Sequence, residues 1–174
     1  MTKREKAVTF KGTPKDLIGA EVKVGAKAPG FKCLDGGLAA VTLTDTPAKA
    51  RMFSVVPSLD TPVCSTQTKK FEDGIKNLGD KVACYTVSLD LPFAQKRFCG
   101  AEGVSTMKTL SDVADNSFGT NWGVLLDGLP LKLLARSVFV VDKSGTVTYV
   151  EYVPEVTSEP NYTAALTALT KAAG

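Results

Sequence analysis

In the stretch VVPSLDTPVCSTQTKKF, residues 55–71, one cysteine stands where reactivity is favoured. Thr61 suits a helix N-cap, its side-chain oxygen placed to accept from the amides of the first turn, and Pro62 fits the next position, where no donor is needed. Cys64 then falls in that first turn. There the sulfur lies near the positive end of the helix dipole, which favours thiolate over thiol, and the thiolate is the nucleophile. Position alone leaves a second reading open, because a free cysteine is commonly a buried, inert thiol.

The remaining cysteines, Cys33, Cys84 and Cys99, form no C-x-x-C pair with Cys64 or with each other, so no zinc knuckle or local dithiol motif is written. The chain has no histidine. That removes Cys-His proteases, Ser-His hydrolases, histidine-ligated haem and mixed Cys/His zinc sites, all of which need an imidazole. Cys84 in ACYTVS and Cys33 in FKCLDG read as structural thiols of strands. Cys99 falls in the last turn of a second helix.

The elements that position these residues must come from a chain of 174 residues, expected to be one domain, since about 150 residues already bury roughly 70% of their unfolded surface. Hydrophobic residues make up 44% and charged residues 22%, which disfavours disordered, collagen-like and membrane classes. With 21 basic against 18 acidic residues, the charge is too balanced to call for nucleic acid or an anionic membrane. No apolar run reaches a membrane span and MTKREKAVTFKG lacks the core of a secretory signal, so a cytoplasmic location is expected, with residues 1–7 as a flexible tail.

VTF and AEVKVG, separated by Gly12, Pro14 and Gly19, predict an N-terminal hairpin. FKCLDGGLAAVTLTD predicts two short strands, and ARMFSVVPS a buried strand ending near Pro57. The cysteine helix follows, with Val63, Gln67, Phe71, Ile75 and Leu78 along one face and Gly79 as its stop. KVACYTVSLD is a strand. Asp90 is expected to cap a second helix carrying Leu91, Ala94 and Phe98 on one face, with Gly100 as terminator. MKTLSD suggests a short strand, DNSFGTNWGVLL a short helix and an irregular stretch, ARSVFVVD and TVTYVEYV a hairpin, and NYTAALTALTKAAG a closing helix. The order describes an α/β layered domain with a central mixed sheet, whose sites gather where strands end and helices begin.

The pattern P-x-x-x-T-x-x-C, here Pro57, Thr61 and Cys64, resembles that of the peroxiredoxins, and VPSLDTPVC with LPFAQKRFCGAEG resembles their thiol peroxidase branch. The similarity covers nearly the whole chain, including LARSVFVVD and the terminal helix. It implies an α/β, thioredoxin-like fold, a central mixed sheet flanked by helices with an N-terminal β-hairpin extension, and a homodimer. It implies reduction of hydrogen peroxide and organic hydroperoxides to water and alcohols, without metal or other cofactor, with thioredoxin as reductant.

The resemblance also assigns roles. Cys64 matches the peroxidatic cysteine, which attacks the peroxide and becomes a sulfenic acid. Thr61 matches the hydroxyl that bonds the thiolate or peroxide oxygen; alone, it reads as an N-cap worth about 1 kcal/mol. Pro57 matches the proline that shields the pocket; alone, it reads equally as a strand terminator. Arg136 matches the arginine that supports the thiolate and the leaving oxygen, work suited to a permanently charged fork of donors. Cys99 matches the resolving cysteine, which forms a Cys64–Cys99 disulfide and releases water. Helix-borne cysteines rarely come within the roughly 7 Å between Cα atoms that a disulfide needs, so one helix end is expected to unwind. Leu59, Val63 and Phe93 would suit an alkyl hydroperoxide or face the core. Two other classes compete: a thioredoxin-fold binding or chaperone module, in which a second cysteine has no use, and a disulfide oxidoreductase for protein substrates, weakened by the missing C-x-x-C.

Overall fold

The computed structural model describes residues 1–174. Strands β1 (Lys3–Phe10) and β2 (Thr13–Ile18) form the first hairpin, and β3 (Lys32–Leu34) and β4 (Ala40–Thr42) the second. β5 (Ala50–Val55) leads into helix α1 (Pro62–Ile75), β6 (Val82–Ser88) into α2 (Pro92–Glu102), and β7 (Lys108–Ser111) into the short α3 (Ser117–Asn121). β8 (Leu125–Asp127), β9 (Ser137–Val141), β10 (Val147–Tyr152) and α4 (Tyr162–Ala173) complete the chain.

Seven strands form the central sheet in the order β10-β9-β5-β6-β7-β3-β4. It is mixed, as expected: β5, β6 and β7 run parallel, whereas β9 is antiparallel to both β5 and β10. Alternation along the strands sorts their side chains between two cores. Met52, Cys84, Val138 and Val140 meet Phe71 and Ile75 of α1 and Ala165 and Leu169 of α4. Phe53, Tyr85, Phe139 and Val141 point the other way, against Phe31, Phe118, Trp122 and Leu134. Ser54 takes the helix-facing parity, which places its hydroxyl beneath α1. No helix is long and apolar enough to cross a membrane.

Several local expectations change. The residues expected as a tail form β1 from Lys3 onward, because Lys3 bridges Asp16 and Asp127 while Arg4 donates to the carbonyls of Gly19 and Gly123 and lies over the Tyr152 ring. The second hairpin strand is Thr13–Ile18, and AEVKVG is outside any strand. Lys11 and Gly12 both take positive φ (50° and 76°), the conformation of a two-residue hairpin turn. Pro14 is tolerated in β2 because the pairing of β2 with β8 covers only Asp16–Ile18.

α1 ends at Ile75, and a 3-10 stretch continues it through Gly79 at φ 51°. Its buried stripe is Cys64, Gln67, Thr68, Phe71, Glu72 and Ile75, with Val63 and Leu78 only half-buried. Asp90 does not cap α2; its carboxylate is taken up by Leu59 N and the hydroxyls of Ser58 and Ser88, and the helix opens from Leu91 into Pro92. The helix runs past Gly100 to Glu102 and closes on Gly103, whose φ of 68° is the left-handed conformation that glycine adopts without strain.

Asp112, fully buried after β7, accepts from Phe118 N, Gly119 N and the Cys33 thiol. Burial pushes its carboxyl up to about 6, the amides of Gly119 and Phe118 offsetting only part of that cost. A carboxyl with a folded pKa above its unfolded value binds its proton more tightly in the folded state, so this group adds stability as pH falls from about 7 towards 4. Unfolding free energies from denaturant titrations should rise from pH 7 to pH 5 in the wild type relative to Asp112→Asn, by on the order of 1 kcal/mol; parallel profiles would refute it.

Candidate active site

The site is built where β5 ends and α1 begins. After Val55 the Val56 amide makes one more bond, to Val87 O at 3.0 Å, and Pro57 then ends the ladder. The loop Ser58–Thr61 is tied by the Thr61 amide to Ser58 O and by the Asp90 carboxylate. Thr61 occupies the N-cap position with extended backbone and its carbonyl accepts from Ser65 N at 3.1 Å. Its hydroxyl does not cap the helix; it donates to Ser58 O at 2.9 Å. The first-turn amides, which have no intrahelical acceptor, therefore get none from Thr61 either.

Cys64 lies in this turn, fully buried against Val56, Leu59 and the flank of Phe98. Arg136, at the head of β9 and also buried, donates from Nη2 to Cys64 Sγ at 3.3 Å. Its other donors are fixed: Nε to Val156 O at 2.8 Å and Nη1 to Gln67 Oε1 at 2.8 Å. Gln67 in turn donates from Nε2 to Ser54 Oγ at 2.7 Å. None of the three acceptors on the guanidinium is a carboxylate. The sulfur therefore faces a buried guanidinium that no carboxylate neutralises within 4 Å.

The N-terminal hairpin reaches this network through the chain after β10. Thr9 N donates to Pro154 O and Val156 N to Thr9 O, while Glu155 accepts from Gly12 N. Val156 is thereby held where its carbonyl meets Arg136. A cavity of about 460 Å³ is lined by Phe10, Pro57, Thr61, Val63, Leu131 and Arg136, the last of which donates to the buried sulfur.

Cys99 lies one turn before the end of α2, and its carbonyl accepts from Gly103 N and Val104 N. It packs on the helix-side core with Val104 and Met107 as neighbours, and lines a separate surface cleft with Lys96 and Lys108. Burial raises its thiol pKa, with Glu72 adding to the effect. All four cysteines are free thiols in this structure. Phe98 packs both on the Cys64 cluster and on the core that holds Cys99. Phe93 is 64% exposed and lines neither, whereas Leu59 packs on Cys64 and Val63 lines the cavity.

The structure thus brings together Pro57, Thr61, Cys64 and Arg136, and sets Cys99 apart. Gln67 and Ser54 escaped the sequence reading as site residues. The available signal was a glutamine in the middle of an otherwise apolar helical stripe. Gln67→Leu should lower stability by about 1–3 kcal/mol, because it leaves the buried Arg136 Nη1 and Ser54 Oγ without partners. Thermal denaturation checks this, and an unchanged midpoint would mean the network relaxes onto other acceptors.

Comparison with known proteins gives a consistent result. Residues 23–166 match the Redoxin family profile. The thiol peroxidase of Halalkalibacterium halodurans is 53% identical over 162 residues, 93% of this chain and 96% of that protein. The thiol peroxidase of Bacillus subtilis is 52% identical over 155 residues, 89% of this chain and 91% of that protein. A peroxiredoxin-like protein from Aquifex aeolicus superposes with a TM-score of 0.89 at 39% identity, covering 97% of this chain and 98% of that one. The thiol peroxidase from Chromobacterium violaceum superposes with a TM-score of 0.84 at 17% identity, covering 94% and 95%, which is a likeness of fold.

Proposed function

The chain belongs to the redoxin family, has its thioredoxin-like fold and is a thiol peroxidase, and from that premise we propose that Cys64 is its peroxidatic residue and Cys99 its resolving residue. The observation that carries the assignment is the hydrogen bond from the buried Arg136 to Cys64 Sγ at 3.3 Å, at the start of a helix. Guanidinium and the first-turn end of the helix dipole both present positive charge to the sulfur. A hydroperoxide enters the cavity beside Pro57, which forms its wall. The Thr61 hydroxyl has its proton engaged by Ser58 O, so its oxygen is free to accept the O–H of the peroxide. Cys64 attacks the terminal oxygen, the O–O bond breaks, and the alkoxide or hydroxide leaves beside Arg136, whose positive charge opposes the negative charge building there. Cys64 is left as a sulfenic acid, and the alkoxide or hydroxide takes a proton from solvent to become alcohol or water.

Cys99 then attacks the sulfenic sulfur, forming the S–S bond and releasing water. Because the two thiols sit in separate clusters, each borne on a helix, the α2 end carrying Cys99 unwinds for the bond to form. Amide exchange over residues 60–68 and 95–103 should lose protection in the oxidised form, and identical protection in both redox forms would contradict the movement. Thioredoxin reduces the disulfide, and the cytoplasm, which keeps thiols reduced, suits a cycle that starts from a dithiol. A homodimer is supported by Leu91 and Phe93, apolar residues that stand 54% and 64% exposed at the start of α2 and would be covered by a second copy.

The test is direct. The reduced protein receives one equivalent of hydrogen peroxide, is quenched at short times, and its thiols are mapped by mass spectrometry. A Cys64–Cys99 linkage formed within seconds and reversed by reduced thioredoxin is expected. Thiols that survive as long as free cysteine would overturn the assignment.

A further inference from the structure

A carboxylate stands at each end of α2. At the start, Asp90 accepts from Leu59 N at 2.8 Å and from the hydroxyls of Ser58 and Ser88. Past the end stands Glu72, buried on α1 on the same stripe as Cys64. Its Oε1 accepts from Ser105 N at 3.0 Å and Thr106 N at 2.9 Å, and its Oε2 from Met107 N at 2.7 Å. Three consecutive amides converge on one carboxylate that no lysine or arginine pairs within 4 Å. These amides follow the α2 exit directly: Cys99 O holds Gly103 N and Val104 N, and the next three residues are the ones clamped. By contrast, the Lys69–Glu102 and Arg97–Asp60 pairs that also join α2 to its surroundings are exposed and weak.

We propose that Glu72 is a positioning residue that restrains the resolving step: by clamping the Ser105–Met107 amides it keeps the Cys99 end of α2 wound and prolongs the life of the Cys64 sulfenic acid. The inference rests on the assignment of Cys99 as resolving thiol. The sulfenic acid has two fates. Attack by Cys99 gives the disulfide and water; attack on a second ROOH gives the sulfinic acid and ROH. Whatever slows unwinding of α2 favours the second.

Glutamine at position 72 keeps the shape but has one acceptor oxygen, and its NH₂ group would face an amide donor. Reduced wild type, Glu72→Gln and Asp142→Asn are compared by rapid quench and mass spectrometry, with one equivalent of hydrogen peroxide and then with a large excess. Asp142 is the control, because its carboxylate also organises backbone amides, those of Ser144 and Thr146, but at the end of β9 opposite Arg136. In Glu72→Gln, oxidation of Cys64 is expected at the wild-type rate and disulfide formation to be faster by roughly tenfold, the order lost with one charge-assisted hydrogen bond. The sulfinic fraction in excess peroxide should fall in proportion. Glu72→Asp, which keeps the negative charge that adds to burial in raising the Cys99 thiol and loses only reach, is run beside it and should show the same acceleration at smaller size. Disulfide formation no faster than wild type in Glu72→Asp, or equal acceleration in Asp142→Asn, overturns the restraint and leaves the role of Cys99 intact. Absence of any Cys64–Cys99 linkage in the wild type overturns both.

Discussion

Serine at position 64 should abolish peroxide turnover, and serine at position 99 should permit one oxidation per chain and then stop the cycle. The first loss is expected to be at least about 10⁴-fold, the order seen when a catalytic nucleophile is removed. A hydroxyl cannot take oxygen from the peroxide as sulfur does, and no other thiol is placed to substitute. Cys33 is fully buried, and burial together with the Asp112 carboxylate holds its thiol far above the usual range. Burial pushes the Cys84 thiol up to about 12, beneath α1 in the helix-side core. In Cys99→Ser the first chemistry is untouched, because Cys99 is no part of the Arg136–Cys64 network. Quenched samples should then contain Cys64 as sulfenic or sulfinic acid and no intramolecular linkage, with thioredoxin-coupled peroxide consumption reduced to the background of Cys64→Ser. A Cys99→Ser protein that keeps cycling on thioredoxin would transfer the resolving role to another thiol.

The division between what the sequence disclosed and what it did not follows the range of the interactions. Helix α1 and the place of Cys64 in its first turn follow from a local order of residues, strand, Pro57, Thr61, Pro62, so they were legible. The strands at the centre of the sheet were legible too, since short apolar runs bounded by turn residues mark strands buried on both faces, although such runs do not state which side chain points which way. The roles of Thr61, Pro57 and Arg136 came from resemblance, because taken alone a capping threonine, a strand-ending proline and a strand-heading arginine each have an ordinary explanation. In the sequence Gln67 is one more position on a helical face, because its partner Arg136 lies 69 residues away and no local pattern marks that bond. The same holds for Glu72, whose acceptor duty is discharged on a loop 33–35 residues downstream. The choice of the second hairpin strand has a related cause. AEVKVG alternates as well as Thr13–Ile18 does, and what selects the earlier segment is pairing with β8, more than a hundred residues along the chain.

Arg136 is where the structural and chemical roles of one side chain can be separated. Arg136→Met should lower the rate of Cys64 oxidation by about 10²–10³-fold, the effect of removing one donor aimed at developing negative charge. Arg136→Lys should recover little of it. An ammonium keeps the charge but lacks the planar fork that simultaneously reaches Val156 O, Gln67 Oε1 and Cys64 Sγ. Both variants also leave Gln67 and Val156 with unmet acceptors, so thermal stability must be measured alongside. Gln67→Leu supplies the comparison, for it loosens the same network while leaving the guanidinium in place. If the arginine acted only as a structural tie, Gln67→Leu and Arg136→Met would slow oxidation in proportion to the stability each loses. With a direct electrostatic role at the sulfur, Arg136→Met falls well below that line, and the gap between the two variants measures what the charge itself contributes to breaking the O–O bond.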